Sequence, residues 1–271
     1  MKAPDFQYRR PESVAAAIAL LSEGEDPMLL AGGQSLMPMM NLRMARPDML
    51  IDLNRIDGLA YVRDDGEIAI GAMTRYADLL TDGLVAAHLP LFTRAIPHVA
   101  HPAIRNRGTI GGSVALADPA AEMPALLLAL GASIVVEGPA GQRTIDADDF
   151  FLGIYETARA SDEIVVEIRV PKGGGPFGFH ELARRHGDYA MAGVALAWEA
   201  PRIAFFGVAD RAMRATATEA ALQGQDPTDQ AVVDRAIAAL DLPFAGDLHA
   251  SAQTKAHYAG VVLRRALGDL S

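Results

Sequence analysis

Two glycine pairs, each with a hydroxyl side chain beside it, are the residues of this sequence best suited to binding chemistry. They stand in the segments Ala31–Ser35 (AGGQS) and Thr109–Ser113 (TIGGS). Because glycine has no Cβ, such loops let backbone N–H groups approach an anion, and a helix that follows adds its positive N-terminal end. The two loops together predict a clamp on a diphosphate. Either loop alone is equally compatible with a tight turn.

Two further segments of the sequence contain candidate binding residues. In Asp118–Glu122 (DPAAE) a carboxylate is suited to accept hydrogen bonds from the hydroxyl groups of a bound cofactor, because it offers several lone pairs. The alternative is that Asp118 caps a short helix and Glu122 is solvated. In Arg184–Ala190, Tyr189 either lies against a planar ring or belongs to an ordinary hairpin.

Several other classes of site are disfavoured. The Rossmann pattern G-x-G-x-x-G, the P-loop and G-x-S-x-G are missing, so Asp52, about 20 residues after the first glycine pair, is predicted to be a turn residue rather than a ribose ligand. His98 and His101 lack a third ligand nearby, which favours a packing role over metal binding.

The sequence has no cysteine, which excludes thiolate chemistry and cysteine-ligated iron–sulfur clusters. Redox chemistry in this chain therefore requires an organic cofactor.

The amino-acid composition restricts the kinds of molecule that this chain is expected to bind. The 271 residues are 51% hydrophobic and carry a formal net charge of −10, which is unfavourable for nucleic acid binding. No apolar run reaches the roughly 18 residues of a membrane span. The first residues show no apolar stretch of the signal-peptide type, so a cytoplasmic location is expected.

The elements that must position these residues follow from apolar patterns. Strands are predicted at 28–31, 49–53, 67–72, 132–137 and 164–170, with helices at 11–23, 75–80 and 124–130 and a helical stretch between 88 and 101. This irregular mixture indicates an α+β fold.

The segment Lys172–Pro176, with three glycines and a proline, is predicted to separate two domains, 1–173 and 177–271. Beyond it, two antiparallel strands are expected at 190–198 and 202–208. A helical region at 216–267 is expected to break near Pro227 and Pro243.

An ordered set of motifs then points to a family. These motifs are AGGQSLMP at 31–38, LRMARP at 42–47, HPAIRNRGTIGG at 101–112, DPAAEMP at 118–124, EIVVEIRVP at 163–171 and RRHGDYA at 184–190. Together they span essentially the whole chain and resemble the FAD-binding medium subunit of molybdenum hydroxylases, the group of carbon monoxide dehydrogenase and xanthine dehydrogenase.

The resemblance implies a fold and a site. The fold is a two-lobed FAD-binding domain of the p-cresol methylhydroxylase and vanillyl-alcohol oxidase type, followed by a small domain of antiparallel sheet plus helices. By position, the two loops would hold the diphosphate and ribityl chain, and Glu122 would take the place of an acid that contacts the cofactor's hydroxyls. Tyr189 and Val166 would lie near the flavin ring. The implied cofactor-binding residues are Leu30, Ala31, Gly32, Gly33, Gln34, Ser35, Leu36, Thr109, Ile110, Gly111, Gly112, Ser113, Asp118, Glu122, Val166 and Tyr189.

The implied function is electron transfer. FAD on this chain would receive electrons from [2Fe-2S] clusters on a small partner subunit and pass them to an external acceptor, while a large partner subunit carries the molybdenum cofactor. The expected assembly is a dimer of heterotrimers, and no catalytic residue or metal ligand is assigned in this chain. One alternative is a free-standing FAD-dependent oxidoreductase that uses Tyr189 with His186. A second is a scaffold that has lost FAD.

One position departs from the family pattern. Many members carry a lysine in the strand before the paired arginines, where this chain has Glu181. A cation there would stabilise reduced flavin, whereas a carboxylate would not. Either Arg184 or Arg185 substitutes for the lysine, or the flavin potential is lower.

Overall fold

The computed structural model describes residues 2–173 and 175–270 of the chain. Met1, Gly174 and Ser271, which belong to the predicted domain ends and linker, lie outside the described residues. The strands form three main sheets and a short hairpin, and the third sheet follows the predicted linker. Within the described ranges, no helix combines the length and the apolar character needed to cross a membrane.

The first sheet is parallel and has three strands. Its segment contains β1 (Gln7–Arg9), α1 (Val14–Leu21), β2 (Pro27–Leu30), α2 (Leu36–Asn41) and β3 (Met49–Asp52). β3 is central, between β1 and β2, and all four of its residues are buried, as expected for a strand covered on both faces. α1 begins at Val14 rather than at the predicted Pro11, because the Ser13 side chain caps it by accepting the Ala16 N–H at 3.1 Å.

The second sheet is antiparallel and has five strands. Its segment contains β4 (Val62–Asp64), β5 (Ile68–Gly71), α3 (Tyr76–Leu79), α4 (Gly83–His88), α5 (Pro90–Ala95), α6 (Pro102–Arg105), α7 (Ile110–Leu116), α8 (Glu122–Leu130), β6 (Ser133–Gly138), β7 (Gly141–Asp146), α9 (Ala147–Phe150), β8 (Phe151–Gly153), β9 (Glu156–Thr157) and β10 (Ile164–Val170). The strand order is β4-β5-β10-β6-β7, and β8 and β9 form the separate hairpin. The central strand β10 is bulged at Val166, where its register against β6 shifts.

The third sheet is antiparallel with its four strands in sequence order. Its segment contains β11 (Phe177–Leu182), β12 (Ala192–Ala197), β13 (Arg202–Phe206), β14 (Met213–Arg214), α10 (Thr216–Leu222), α11 (Gln230–Ala238) and α12 (Ala252–Gly268). Both faces are buried: Ile203 and Phe205 pack into the cluster that contains α12, whereas Ala204 and Phe206 pack into the cluster that contains α8. This alternation follows from the period of two in a strand.

The helix α8 connects the parts of the fold. All nine of its residues are buried, and it packs against β12 and β13 as well as α5, α7 and α9. A helix that is apolar on every side belongs in the centre of a core. Its first residue, Glu122, is therefore held at the junction between the second and third sheets.

Candidate functional site

The two glycine loops come from different sheets and meet each other. The first follows β2 of the parallel sheet, and the second forms the start of α7, which packs on β10. A Cβ at Gly32 would lie 2.3 Å from the Arg107 carbonyl oxygen and 2.8 Å from the Gly108 Cα, and one at Gly112 would lie 3.4 Å from the Ala31 Cβ. Glycine therefore permits this close approach of the two backbones.

The first loop has backbone donors free for a ligand. In the described part of the chain, none of the N–H groups from Gly32 to Leu36 donates to a protein acceptor. Gly33 has φ +71°, in the left-handed region, so the backbone reverses direction here. The Gln34 amide donates back to the Gly32 carbonyl at 2.9 Å, and the Ser35 hydroxyl makes no capping bond to α2. A turn with several unbonded N–H groups is a concave site for an anion.

The second loop differs from the first because its backbone N–H groups already donate to acceptors within the protein. Ile110 N–H donates to the Thr74 carbonyl at 3.0 Å, Gly111 N–H to the Ala72 carbonyl at 2.9 Å, and Gly112 N–H to the Thr109 hydroxyl at 3.1 Å. Ser113 N–H donates to the Thr109 carbonyl at 3.2 Å. This loop therefore offers a close-packed surface and hydroxyl groups rather than a row of free N–H donors.

A polar network fastens the two loops together. Asn54 donates from its side-chain amide to the Ala31 carbonyl at 2.9 Å, and Arg75 donates to the Asn54 side-chain oxygen at 2.5 Å and to the Arg107 carbonyl. Asp52 accepts from the Asn54 N–H at 2.9 Å and from its side-chain amide at 2.6 Å. Sequence reasoning missed Asn54 and Arg75, although the D-x-N spacing after a strand is typical of such a turn.

Asp52 is the turn residue predicted from the sequence. Its carboxylate caps the 3₁₀ turn Leu53–Arg55 and also accepts a hydrogen bond from the Tyr8 phenol. Burial acts to raise the pKa of Asp52, but hydrogen bonds from Tyr8 and Asn54 outweigh it, so the pKa is lowered. Asp52 is thus ionised and committed to the network beneath the loops.

The two predicted acids flank the turn between α7 and α8. Asp118 follows Ala117, the left-handed C-cap of α7 at φ +52°, and accepts the Ala120 N–H at 2.9 Å, so it closes a turn rather than capping α8. Glu122 is the first residue of α8. Burial, with a smaller contribution from the charge of Asp118, raises the pKa of Glu122 to about 7. Near neutral pH this carboxyl group can therefore both donate and accept.

Val166 is joined to the second loop through one residue. At the β10 bulge its carbonyl accepts the Ala72 N–H at 3.0 Å, and the Ala72 carbonyl accepts the Gly111 N–H. The Val166 side chain lies in an apolar cluster against which Ala31 packs. Of the remaining apolar residues of the predicted set, Ile110 is fully buried, and Leu30 and Leu36 are half-buried against the cluster around Met40.

Tyr189 lies in the connection between β11 and β12 and is 71% exposed. Partial burial first, and then the charges of Asp118 and Glu122, raise the pKa of Tyr189. Tyr155, at the tip of the β8–β9 hairpin, was not predicted. It has φ +55°, and its hydroxyl reaches Asp118 Oδ2 at 3.5 Å. A left-handed tyrosine is rare and marks a candidate functional position.

Neither Glu181 nor the neighbouring arginines lie as the sequence comparison with the family suggested. The Glu181 side chain is buried beside His98, whereas Arg184 and Arg185 are exposed and Arg184 lies 4.0 Å from Asp188. Neither arginine is held beside Glu181. Among the residues that the structure describes, no three metal-ligating side chains cluster as a metal site requires.

Known proteins are similar to this chain over almost its whole length. The chain matches the model of the FAD binding domain in molybdopterin dehydrogenase over residues 4–173 and that of the CO dehydrogenase flavoprotein C-terminal domain over 177–270. It is 44% identical to the carbon monoxide dehydrogenase medium chain of Hydrogenophaga pseudoflava, covering 97% of this chain and 96% of that one. It is 38% identical to the nicotine 6-hydroxylase medium subunit of Paenarthrobacter nicotinovorans, covering 98% of both.

Solved structures agree with the sequence matches. Carbon monoxide dehydrogenase of Hydrogenophaga pseudoflava superposes with a TM-score of 0.94 over 100% of this chain and 98% of that chain. Quinoline 2-oxidoreductase of Pseudomonas putida 86, 34% identical, superposes with a TM-score of 0.93 over 100% of both chains. The predicted fold class is therefore confirmed, and the chain belongs to the family of FAD-binding medium subunits of molybdopterin dehydrogenases, the molybdenum hydroxylases.

Proposed function

We propose that this chain binds FAD between its two glycine loops and passes electrons from iron–sulfur clusters on a partner subunit to an external acceptor. The observation that carries the proposal is the unbonded row of N–H groups from Gly32 to Leu36, held against the second loop by Asn54 and Arg75. Several free donors on one turn suit an anion with two phosphate groups.

The remaining contacts follow from the same arrangement. The loops Ala31–Leu36 and Thr109–Ser113 would hold the diphosphate and ribityl chain, the second through its packing surface and hydroxyls. Asp118 and Glu122 would contact cofactor hydroxyls, with Tyr189 and Val166 near the ring. When bound, FAD supplies the ability to accept electrons singly and release them in pairs, and the protein contributes position and electrostatics.

The partners are expected to carry the metals. Because the sequence has no cysteine, [2Fe-2S] clusters would sit on a small partner subunit and the molybdenum cofactor on a large one, in a dimer of heterotrimers. Relatives named for carbon monoxide dehydrogenase and nicotine 6-hydroxylase match over almost the whole chain. We therefore propose that substrate choice lies outside this subunit. The division into domains 1–173 and 177–271 and the cytoplasmic location stay predictions.

The test is to purify the chain with whatever accompanies it, record its visible spectrum, and identify the released cofactor and metals. We expect FAD bound to this chain and iron with molybdenum in the larger complex. FAD on an isolated chain that oxidises its own organic substrate would instead indicate a free-standing flavoenzyme. A colourless complex would contradict FAD binding.

A further inference from the structure

Lys255 is a buried lysine that has no role in the site described so far. It lies in the first turn of α12, and its side chain is 7% exposed. Its Nζ atom lies 2.7 Å from Asp247 Oδ2 and donates to the Gly207 carbonyl at 2.5 Å. A buried ammonium group is costly unless it is paired and hydrogen-bonded, so both partners are needed. Asp247 is exposed, whereas Gly207 is buried, so Lys255 acts on the interior through Gly207.

Gly207 contacts two segments that bear predicted cofactor-binding residues. Its N–H donates to the Pro119 carbonyl at 2.7 Å, in the Asp118 turn (residues 118–122), which contains both predicted acids. Its φ is +74°, and a Cβ at this position would lie 2.7 Å from the Ala190 carbonyl oxygen. Ala190 is the residue after Tyr189. Gly207 therefore fixes the Asp118 turn by a hydrogen bond and packs closely against the backbone beside Tyr189.

The segment that precedes α12 is attached at the same place. The Ala245 N–H donates to the carbonyl of Val208, the residue after Gly207, at 2.9 Å. The Asp247 carboxylate accepts the N–H groups of His249 at 2.7 Å and Ala250 at 3.0 Å, so its position is fixed by its own turn. A hydrogen bond from an ammonium group to a carbonyl is stronger than one between neutral groups. Lys255 thus provides the charge-assisted bond in a connection from α12 to the Asp118 turn.

We propose that Lys255 is a positioning residue of the FAD site. By holding Gly207, it fixes the Asp118 turn and the backbone beside Tyr189 in the arrangement that receives the cofactor. The inference rests on the proposed function, since it requires FAD beside the Asp118 turn. Lys255 acts through Gly207 and not by contact with the cofactor.

The first test is the FAD affinity of Lys255→Met, measured by titrating flavin fluorescence with the full chain freed of FAD. Methionine keeps an unbranched side chain but cannot donate, so the Gly207 carbonyl loses its charged donor. We expect FAD to bind roughly tenfold more weakly. The matched control is Leu263→Ala, a fully buried residue of the same helix that packs in the apolar cluster around α12. This variant should lose stability in denaturant unfolding but keep the FAD affinity of the wild type.

A double-mutant cycle separates positioning from a general loss of stability. If Lys255 acts through the Asp118 turn, Lys255→Met should weaken FAD binding less in the Asp118→Asn background than in the wild type, because the positioned group is already altered. A purely structural effect would be the same in both backgrounds. Additive effects on FAD affinity would therefore overturn the positioning role.

A third readout uses the wild type, so it decides the question even if Lys255→Met does not fold. Because coupling between two sites is reciprocal, FAD should stabilise the bond from Lys255 to Gly207 by the same factor of roughly ten. Acetylation of the Lys255 amine by acetic anhydride, followed by mass spectrometry, should slow accordingly when FAD is added. Lys2 and Lys172 are internal controls in the same chain.

The outcomes distinguish this inference from the proposed function. Wild-type FAD affinity in Lys255→Met, an equal loss of affinity in Leu263→Ala, or unchanged Lys255 acetylation on FAD binding would each overturn the positioning role alone. A wild-type chain that binds no FAD would overturn the proposed function and this inference with it.

Discussion

At the residue scale, the glycines of the two loops leave room for protein backbone. Gly32 faces the carbonyl of Arg107, and a Cβ at Gly111 would lie 2.6 Å from the Ala72 carbonyl oxygen. The ligand-facing property, a set of free N–H groups, belongs to the first loop. The glycines therefore allow the two loops to pack, and under the proposed function this packing would form the binding place for the diphosphate.

This packing makes the glycines sensitive to a single methyl group. In Gly32→Ala the Cβ would meet the Arg107 carbonyl at 2.3 Å, so one loop must move. We expect FAD affinity to fall at least tenfold, roughly 1.4 kcal/mol. The measurement is the FAD content and dissociation constant of the full chain. Gly83→Ala is the control, because a Cβ there meets nothing within 4 Å. Unchanged FAD affinity in Gly32→Ala would contradict the role of the close approach.

At the element scale, the candidate site depends on the relative position of the parallel sheet and the five-stranded antiparallel sheet. Asn54, just after β3, reaches the first loop, and Arg75, just before α3, reaches both Asn54 and the carbonyl that precedes the second loop. Burial is the main cause that lowers the pKa of Arg75, although it remains charged. One arginine and one amide thus connect two loops that are distant in sequence.

Removing this connection should loosen the cofactor without unfolding the chain. Arg75→Met keeps the aliphatic stem but loses both hydrogen bonds, each worth about 1.5–3 kcal/mol when a charged group donates. We expect FAD to bind roughly 10- to 100-fold more weakly, measured by titrating flavin fluorescence. Arg235→Met, an exposed position on α11, should bind FAD as the wild type does. Equal affinity in the two variants would show that Arg75 does not hold the loops.

Much of this element layout could be predicted from the sequence. The apolar runs at β2, β3 and β6 and the turn signals at Pro227 and Pro243 indicated elements and breaks that the structure has. β7 was missed because its first four residues are exposed and show no apolar pattern. The meeting of the loops through Asn54 and Arg75 was beyond prediction, since it depends on how two sheets pack. The diphosphate contacts of both loops stay predictions.

At the scale of the whole molecule, the third sheet supports the candidate site through α8. Phe206 on β13 packs toward α8 and stacks on Phe179 at 6.0 Å, and its ring covers Gly193, where a Cβ would lie 2.0 Å away. The next residue, Gly207, donates its N–H to the Pro119 carbonyl at 2.7 Å. The turn that bears Asp118 and Glu122 is thus attached directly to the C-terminal sheet.

Adjacent phenylalanines on β13 offer a matched test of this support. Phe206 faces α8, whereas Phe205 faces the cluster around α12, and both are fully buried. Each change to alanine should destabilise the chain by about 3–5 kcal/mol, measured by denaturant unfolding. Only Phe206→Ala should also weaken FAD binding, because it loosens α8 and the Asp118 turn. If Phe205→Ala lowers FAD affinity equally under conditions where both variants are folded, the C-terminal sheet supports the site through overall stability rather than through α8.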